Sequence, residues 1–230
     1  METLEQRTAL TTVAPPTIAL AAASDTGVRG DGITRLARPT FAGTAAARSY
    51  VVVYADDSQL LGVTRANAFG RWSLVTSPAA PIATGGHTIK AYAVNAGNVW
   101  SSAGSIGMSV DSTPPTASIA YDPNFQSSPT SPVTGRATVT FSEPVRGVSL
   151  ANVRFTDPAT GFSVAFGSPL LRSYVGVITV TQLSDRSYAF TPSIQTIGAG
   201  SYNLTFLKTG VSDFAGNPLA ADASTTFVAT

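Results

Sequence analysis

No cysteine occurs in the 230 residues, and His87 is the only histidine. A structural zinc site takes about four nitrogen or sulfur ligands, so this composition excludes one. Disulfide staples, on which many small secreted eukaryotic modules depend, are excluded with it. Charged residues make up 12%, about half of the roughly 25% usual in soluble proteins, and the formal net charge is only +1. With no basic run and no interleaving of basic and aromatic residues, nucleic acid is not an expected partner. No stretch of about 18 apolar residues occurs, so no membrane-spanning helix is expected. Glu2, Glu5 and Arg7 stand where the apolar part of a signal peptide would begin. Any export signal is therefore expected outside this chain.

What fills the chain instead is Thr, Ser, Ala, Val and Gly, together with a doubled phrase. Pro15-Pro16-Thr17 opens one segment that reaches Asn95-Ala96-Gly97-Asn98 near its end. Pro114-Pro115-Thr116 opens another that reaches Asp213-Phe214-Ala215-Gly216-Asn217. Self-similarity at this spacing predicts two copies of one module. The expected layout is a leader over 1–14, a first domain over 15–112 and a second over 113–230.

Both segments read as strands. Ser49–Tyr54 is β-branched and aromatic and stops at the turn composition Ala55-Asp56-Asp57-Ser58. In Gly70–Val75, Trp72 and Leu74 share one face, and in His87–Val94, Ile89, Ala91 and Ala93 lie opposite Lys90 and Tyr92. In the second segment strands are expected over 116–121, 137–141, 148–155, 174–181, 187–191, 201–207 and 225–228. Tyr202, Leu204 and Phe206 share a face there. Asp122–Thr134, rich in Ser and Pro, reads as a long mobile loop. Turn signals every 8–12 residues with no capped helix predict an all-β chain: two tandem immunoglobulin-like β-sandwich domains joined by a short proline-rich linker.

Catalysis finds little to work with. A Ser-His-Asp arrangement has only His87 to use, in what reads as a turn after Gly85-Gly86. The 13 acidic residues fall mostly in turns, with no Trp-lined cleft suggested for glycoside hydrolysis. A hydrolase is thus the weakest reading, and the chain is read as non-enzymatic. Trp72 is expected in the core and Trp100 in an exposed loop.

Several phrases, taken in order, resemble the bacterial Ig-like domains of giant repetitive surface adhesins. They are Ser24-Asp25-Thr26-Gly27 through Asp31-Gly32-Ile33-Thr34, Pro39–Thr44, Gly70–Ser73, Gly86–Ile89, Asn95–Asn98 and Asp111-Ser112-Thr113. Phe141-Ser142-Glu143-Pro144-Val145 and Ser212–Asn217 resemble a variant of the same domain. The resemblance implies a cell-surface or secreted location, an adhesive or stalk role, and calcium at domain junctions. Asn95 and Asn67 depart from it, since the family usually carries Asp there, and 157–183 matches little of it.

Strand order gives the calcium expectation a geometry. In a Greek-key sandwich the loop holding Asp25 and Asp31 lies at the end where the last strand exits toward Asp111. Glu143 and Asp213 lie at the end where the chain enters the second module. Five carboxylates, Asp25, Asp31, Asp111, Glu143 and Asp213, thus head for one junction and form the expected calcium ligand set, carboxylate oxygen being what calcium prefers. The competing reading is that these are turn formers, with Asp bonding its own backbone. For function, adhesion to a cell, matrix or polysaccharide competes with an accessory carbohydrate-binding or spacer module of a secreted polysaccharide-active enzyme. Coplanar exposed rings among Tyr50, Tyr54, Tyr92 and Trp100 would favour the latter.

Overall fold

A computed structural model of the protein describes residues 12–126, 134–165, 178–192 and 200–229. The chain divides into two compact units, Met1–Ser112 and Thr113–Thr230. Each is a β-sandwich with its own core, and no α-helix occurs among the described residues. Accordingly no helix there is long and apolar enough to cross a membrane.

In the first unit β1 (Ala19–Leu20), β3 (Thr40–Thr44) and β6 (Arg71–Val75) make a three-stranded sheet in the order β1-β3-β6. The facing sheet runs β2-β8-β7-β4-β5, from β2 (Ile33–Thr34), β4 (Tyr50–Ala55), β5 (Gln59–Arg65), β7 (Gly85–Val94) and β8 (Gly104–Val110). Alternation sorts the faces: Val51 and Val53 of β4 and Ile89 and Ala91 of β7 are fully buried, as is Phe41 of β3. Trp72 and Leu74 turn inward from β6. A bulge pairs Val53 with Gly62 and Tyr54 with Leu60, and the extra residue, Leu61, is fully buried. Gly43 is required by close approach, since a Cβ there would overlap the Thr17 carbonyl.

The second unit stacks two four-stranded sheets. One runs β13-β14-β10-β9, from β9 (Ala117–Gln126), β10 (Thr134–Phe141), β13 (Ile178–Ser184) and β14 (Ser187–Pro192). The other runs β12-β11-β15-β16, from β11 (Val153–Asp157), β12 (Phe162–Ala165), β15 (Gly200–Phe206) and β16 (Ala223–Ala229). Its core is aromatic: Phe141, Phe155, Phe190, Tyr202 and Phe206 pack with Val139, Val153 and Leu204. Phe206 meets Phe141 at 5.5 Å and 74°, and Phe155 stacks on Tyr202 at 5.0 Å.

The all-β reading stands, while several local expectations need correction. Asp122–Gln126 and Thr134 are strand rather than loop, because β9 and β10 continue their ladder to a Thr134–Gln126 pair. Residues 148–155 are not one strand throughout: Leu150–Asn152, a stretch whose sequence also allows a turn of helix, makes a single 3₁₀ turn before β11. β12, which no sequence signal announced, pairs with β11 across an Asp157 turn. Residues 1–11 of the leader expected over 1–14, and the start of the strand expected at 174, lie outside the described residues.

Candidate metal centre

In the second unit the chain leaves β10 at Phe141, and Pro144, having no N–H, stops the ladder just after Glu143. Ser142 ties this corner down: its N–H donates to the Thr116 carbonyl and its Oγ accepts from the Thr116 N–H. The segment after β15 returns to the same end, where Arg146 and Ser212 form an isolated antiparallel bridge. There the Asp213 carboxylate closes its own turn. Oδ1 accepts from the Asn217 backbone N–H and Oδ2 from Asn217 Nδ2, both at 2.8 Å. Gly216, at φ 90°, permits the tight return.

Asp213 is only 1% exposed. Among the described residues no Lys or Arg forms an ion pair with it. A buried carboxylate held by amides alone keeps an uncompensated charge, which is costly in a low-dielectric setting. Glu143 and Asp213 each offer a carboxylate oxygen, and these lie within 4.8 Å of one another. Calcium–oxygen distances of about 2.3–2.6 Å put two ligands of one ion at most about 5 Å apart, so the pair fits a shared calcium.

In the first unit Asp25 and Asp31 lie in the β1–β2 loop, and Asp111 follows β8. β2 runs parallel to the end of β8, and the Asp111 N–H donates to the Thr34 carbonyl at 2.8 Å. All three therefore share one end of this unit. Asp31 Oδ1 accepts from the Ile33 N–H at 2.8 Å, and Asp25 Oδ2 accepts from the Gly30 N–H at 2.5 Å. These are the backbone bonds of turn-forming aspartates, with Gly27, Gly30 and Gly32 all at positive φ. Asp25 Oδ1 is buried without a hydrogen-bond partner. Among the described residues, neither Asp25 nor Asp31 belongs to a group of three or more metal-ligating side chains.

The doubled phrase does one job with two chemistries. Asn95 Oδ1 accepts from the Gly97 and Val99 N–H groups at 2.9 and 3.0 Å, as Asp213 does from Asn217. In the first copy the left-handed residue is Asn98, at φ 57°, rather than the glycine. Asn95 closes its turn through a single oxygen, whereas Asp213 uses both carboxylate oxygens, the second on Asn217 Nδ2.

His87 is not in a turn. It lies inside β7 on the core-facing side, in register with Ile89 and Ala91. Nδ1 is 2.7 Å from Asp56 Oδ2 and Nε2 is 2.8 Å from the Ala83 carbonyl. Both neighbours are acceptors, so only the imidazolium satisfies both, and the hydrogen bond it donates to Asp56 raises the His87 pKa above its ordinary value. The same bond lowers the Asp56 pKa. Nε2, which a nucleophile would need, is taken by the backbone, so the pair staples the β4–β5 turn to β7. The charged pair's contribution is complete only above the unfolded-state Asp pKa of about 4 and below the unfolded-state His pKa of about 6.5. It is lost as pH rises through the higher folded-state His87 value. The first unit's melting temperature is therefore expected to fall as pH rises from 6 toward 8.5. Scanning calorimetry of the wild type and His87→Gln should show that fall in the wild type and a flatter profile in the variant.

The aromatic residues do not form a platform. Tyr54 meets Tyr92 at 79° and Tyr92 meets Trp100 at 63°, each at 6.2 Å between centroids. Rings set edge to face are not the coplanar strip that a stacked glycan requires. Trp72 is buried in the core and Trp100 is 49% exposed.

Comparison with known proteins agrees with this architecture. The sequence model of the bacterial Ig-like domain matches residues 12–112. No curated protein sequence matches the chain. Among solved structures, a tetra-tandem repeat from the extending region of a large adhesion protein is 18% identical, covering 94% of this chain and 49% of its own, at TM-score 0.32. A structure of a 1.5-MDa bacterial ice-binding adhesin is 16% identical, covering 94% and 65%, at TM-score 0.45. The chain thus spans about half of the first and about two thirds of the second. At these scores the likenesses carry no functional argument. The family match and the sandwich agree: residues 12–112, within the first unit, match the bacterial Ig-like domain.

Proposed function

We propose that the chain is a non-catalytic pair of Ig-like modules from a bacterial cell-surface or secreted protein, extending a stalk or mediating adhesion, and that calcium stiffens the junction between the modules. The observation that carries the calcium reading is the buried Asp213 carboxylate, uncompensated by Lys or Arg and with a Glu143 oxygen within 4.8 Å. Asp111, two residues before the second unit begins, would supply a third carboxylate. Asp25 and Asp31 would act from the first unit's end of the linker, where Asp25 Oδ1 lacks a donor. The ion would neutralise the cluster and replace amide contacts with stronger coordination.

Extracellular modules bind calcium with dissociation constants of about 0.1–1 mM. Titration calorimetry on the whole chain is expected to give a value in that range. Glu143→Gln removes a charge at constant size, and Asp213→Asn removes a charge together with the acceptor for Asn217 Nδ2, so each should weaken binding at least tenfold. Equal affinity in Asp213→Asn and wild type would remove Asp213 from the site. The accessory carbohydrate-module reading has no ring platform to support it, since the candidate rings are not coplanar.

A further inference from the structure

The first unit carries its charges unevenly: among the described residues, one end mixes acidic residues with Arg29, Arg35, Arg38 and the Asp57-paired Lys90, and the other end carries arginines alone. Its described acidic residues, Asp25, Asp31, Asp56, Asp57 and Asp111, all lie at one end, in the β1–β2 loop, the β4–β5 turn and the segment after β8. The opposite end is built by the β3–β4 and β5–β6 loops. It carries Arg48, Arg65 and Arg71, and no described acidic residue lies there to pair with them.

The side chain of Arg65 and the backbone of Arg48 are held in place. Arg65 Nε donates to the Arg48 carbonyl at 3.0 Å, and its guanidinium lies 5.6 Å from the centroid of the Tyr50 ring. That fixes the plane of the group and leaves its terminal N–H groups unused. The Arg48 N–H donates to the Asn67 carbonyl at 3.2 Å, and Asn67 Oδ1 accepts from the Phe69 and Arg71 N–H groups. Arg48, Arg65, Ala66 and Asn67 line a cleft of about 540 Å³. Its polar lining residues are Arg48, Arg65 and Asn67.

Arg48 also has a backbone cost. Its φ is 61°, the left-handed region that glycine or asparagine occupies readily and that strains other residues. Strain retained at an exposed position points to a use for the side chain.

We propose that this cleft binds an acidic polysaccharide, with Arg48 and Arg65 gripping a carboxylate or sulfate group of the polymer. Guanidinium forks match such planar oxyanions in paired hydrogen bonds. The arginine end of the domain would draw the polymer in. The depression is open and shallow, so a flexible polymer can lay its acidic groups across it, and the vesicle arm of the test separates this from a lipid surface. The proposal goes beyond the calcium reading and does not depend on it.

The test is binding of the whole chain to polygalacturonate, dextran sulfate and neutral dextran at low salt with a chelator present, which removes any part played by calcium. The wild type should bind both polyanions, weaken as salt rises, and ignore dextran. Arg48→Gly and Arg65→Gln should each lose at least tenfold in affinity. Arg48→Gly should melt at the same temperature or higher, because glycine relieves the left-handed strain. Arg38→Gln, at the end of mixed charge, should bind like the wild type. Equal losses in Arg38→Gln would show charge attraction without a site and overturn the proposal. Retention of affinity in Arg48→Gly and Arg65→Gln would do the same. Binding only to phosphatidylglycerol vesicles, abolished by Phe69→Ser, would assign this end to a lipid surface and overturn it as well. Phe69 is 88% exposed at the tip of the same hairpin.

Discussion

Phe206→Ala is expected to destabilise the second unit by about 3–5 kcal/mol and to leave the first unit's transition where it was. The ring is fully buried, edge-on to Phe141 and 6.2 Å from Phe190, so its removal opens a void that neighbouring rings cannot fill by rotating. Dense cores relax only partly around such a loss. A domain of this size has a total stability of about 5–15 kcal/mol, so the loss is a large fraction of the whole. The two units have separate cores, one centred on Phe41, Val51 and Ile89 and the other on Phe141, Phe190 and Phe206. Calorimetry should accordingly resolve two transitions, with one displaced downward by 10 °C or more, an estimate from about 4 °C per kcal/mol. A uniform shift of a single transition would mean that the units unfold as one body.

Asn152→Ala is the second large effect, of about 2–4 kcal/mol, and it comes from polar groups. Asn152 is 4% exposed and uses its whole amide. Oδ1 accepts from the Ser149 N–H and Oγ, and Nδ2 donates to the Leu207 and Thr209 carbonyls at 3.0 and 2.9 Å. One side chain therefore fastens the 3₁₀ turn before β11 to the segment leaving β15. Alanine leaves two carbonyls and an N–H without partners. Asn152→Asp keeps the size but turns an acceptor toward both carbonyls, so it should be no more stable than alanine. Urea unfolding followed by Trp and Tyr fluorescence would separate these outcomes. An aspartate variant as stable as wild type would contradict the bonding pattern.

Much of the architecture could be read from alternation. Trp72 with Leu74, Ile89 with Ala91, and Tyr202 with Leu204 and Phe206 were all legible as inward faces, because strand burial has a period of two. Elements without that period were not legible. β12 has little alternation of its own and exists by pairing with β11, and β9 reaches Gln126 despite Asp122 and Pro123 because β10 supplies partners. Asn152 lies in a segment whose composition reads as part of a strand, and nothing local announces its two distant bonds, to the Leu207 and Thr209 carbonyls. Among the candidate ligands, turn composition alone marked Asp25 and Asp31, and their carboxylates do serve their own turns. Asp213 looked like one more turn former. What sets it apart is burial, which depends on residues far away in sequence. Asp56 was read as a turn residue too, and its bond to His87 spans 31 positions.

The calcium site is tested most directly by the melting of the whole chain in 10 mM calcium and in chelator. With a dissociation constant of about 0.1–1 mM, calcium should stabilise the second unit by about 1.4–2.7 kcal/mol. That raises its transition by several degrees in wild type and by much less in Asp213→Asn. Wild-type transitions that coincide within a degree in calcium and in chelator would contradict the account.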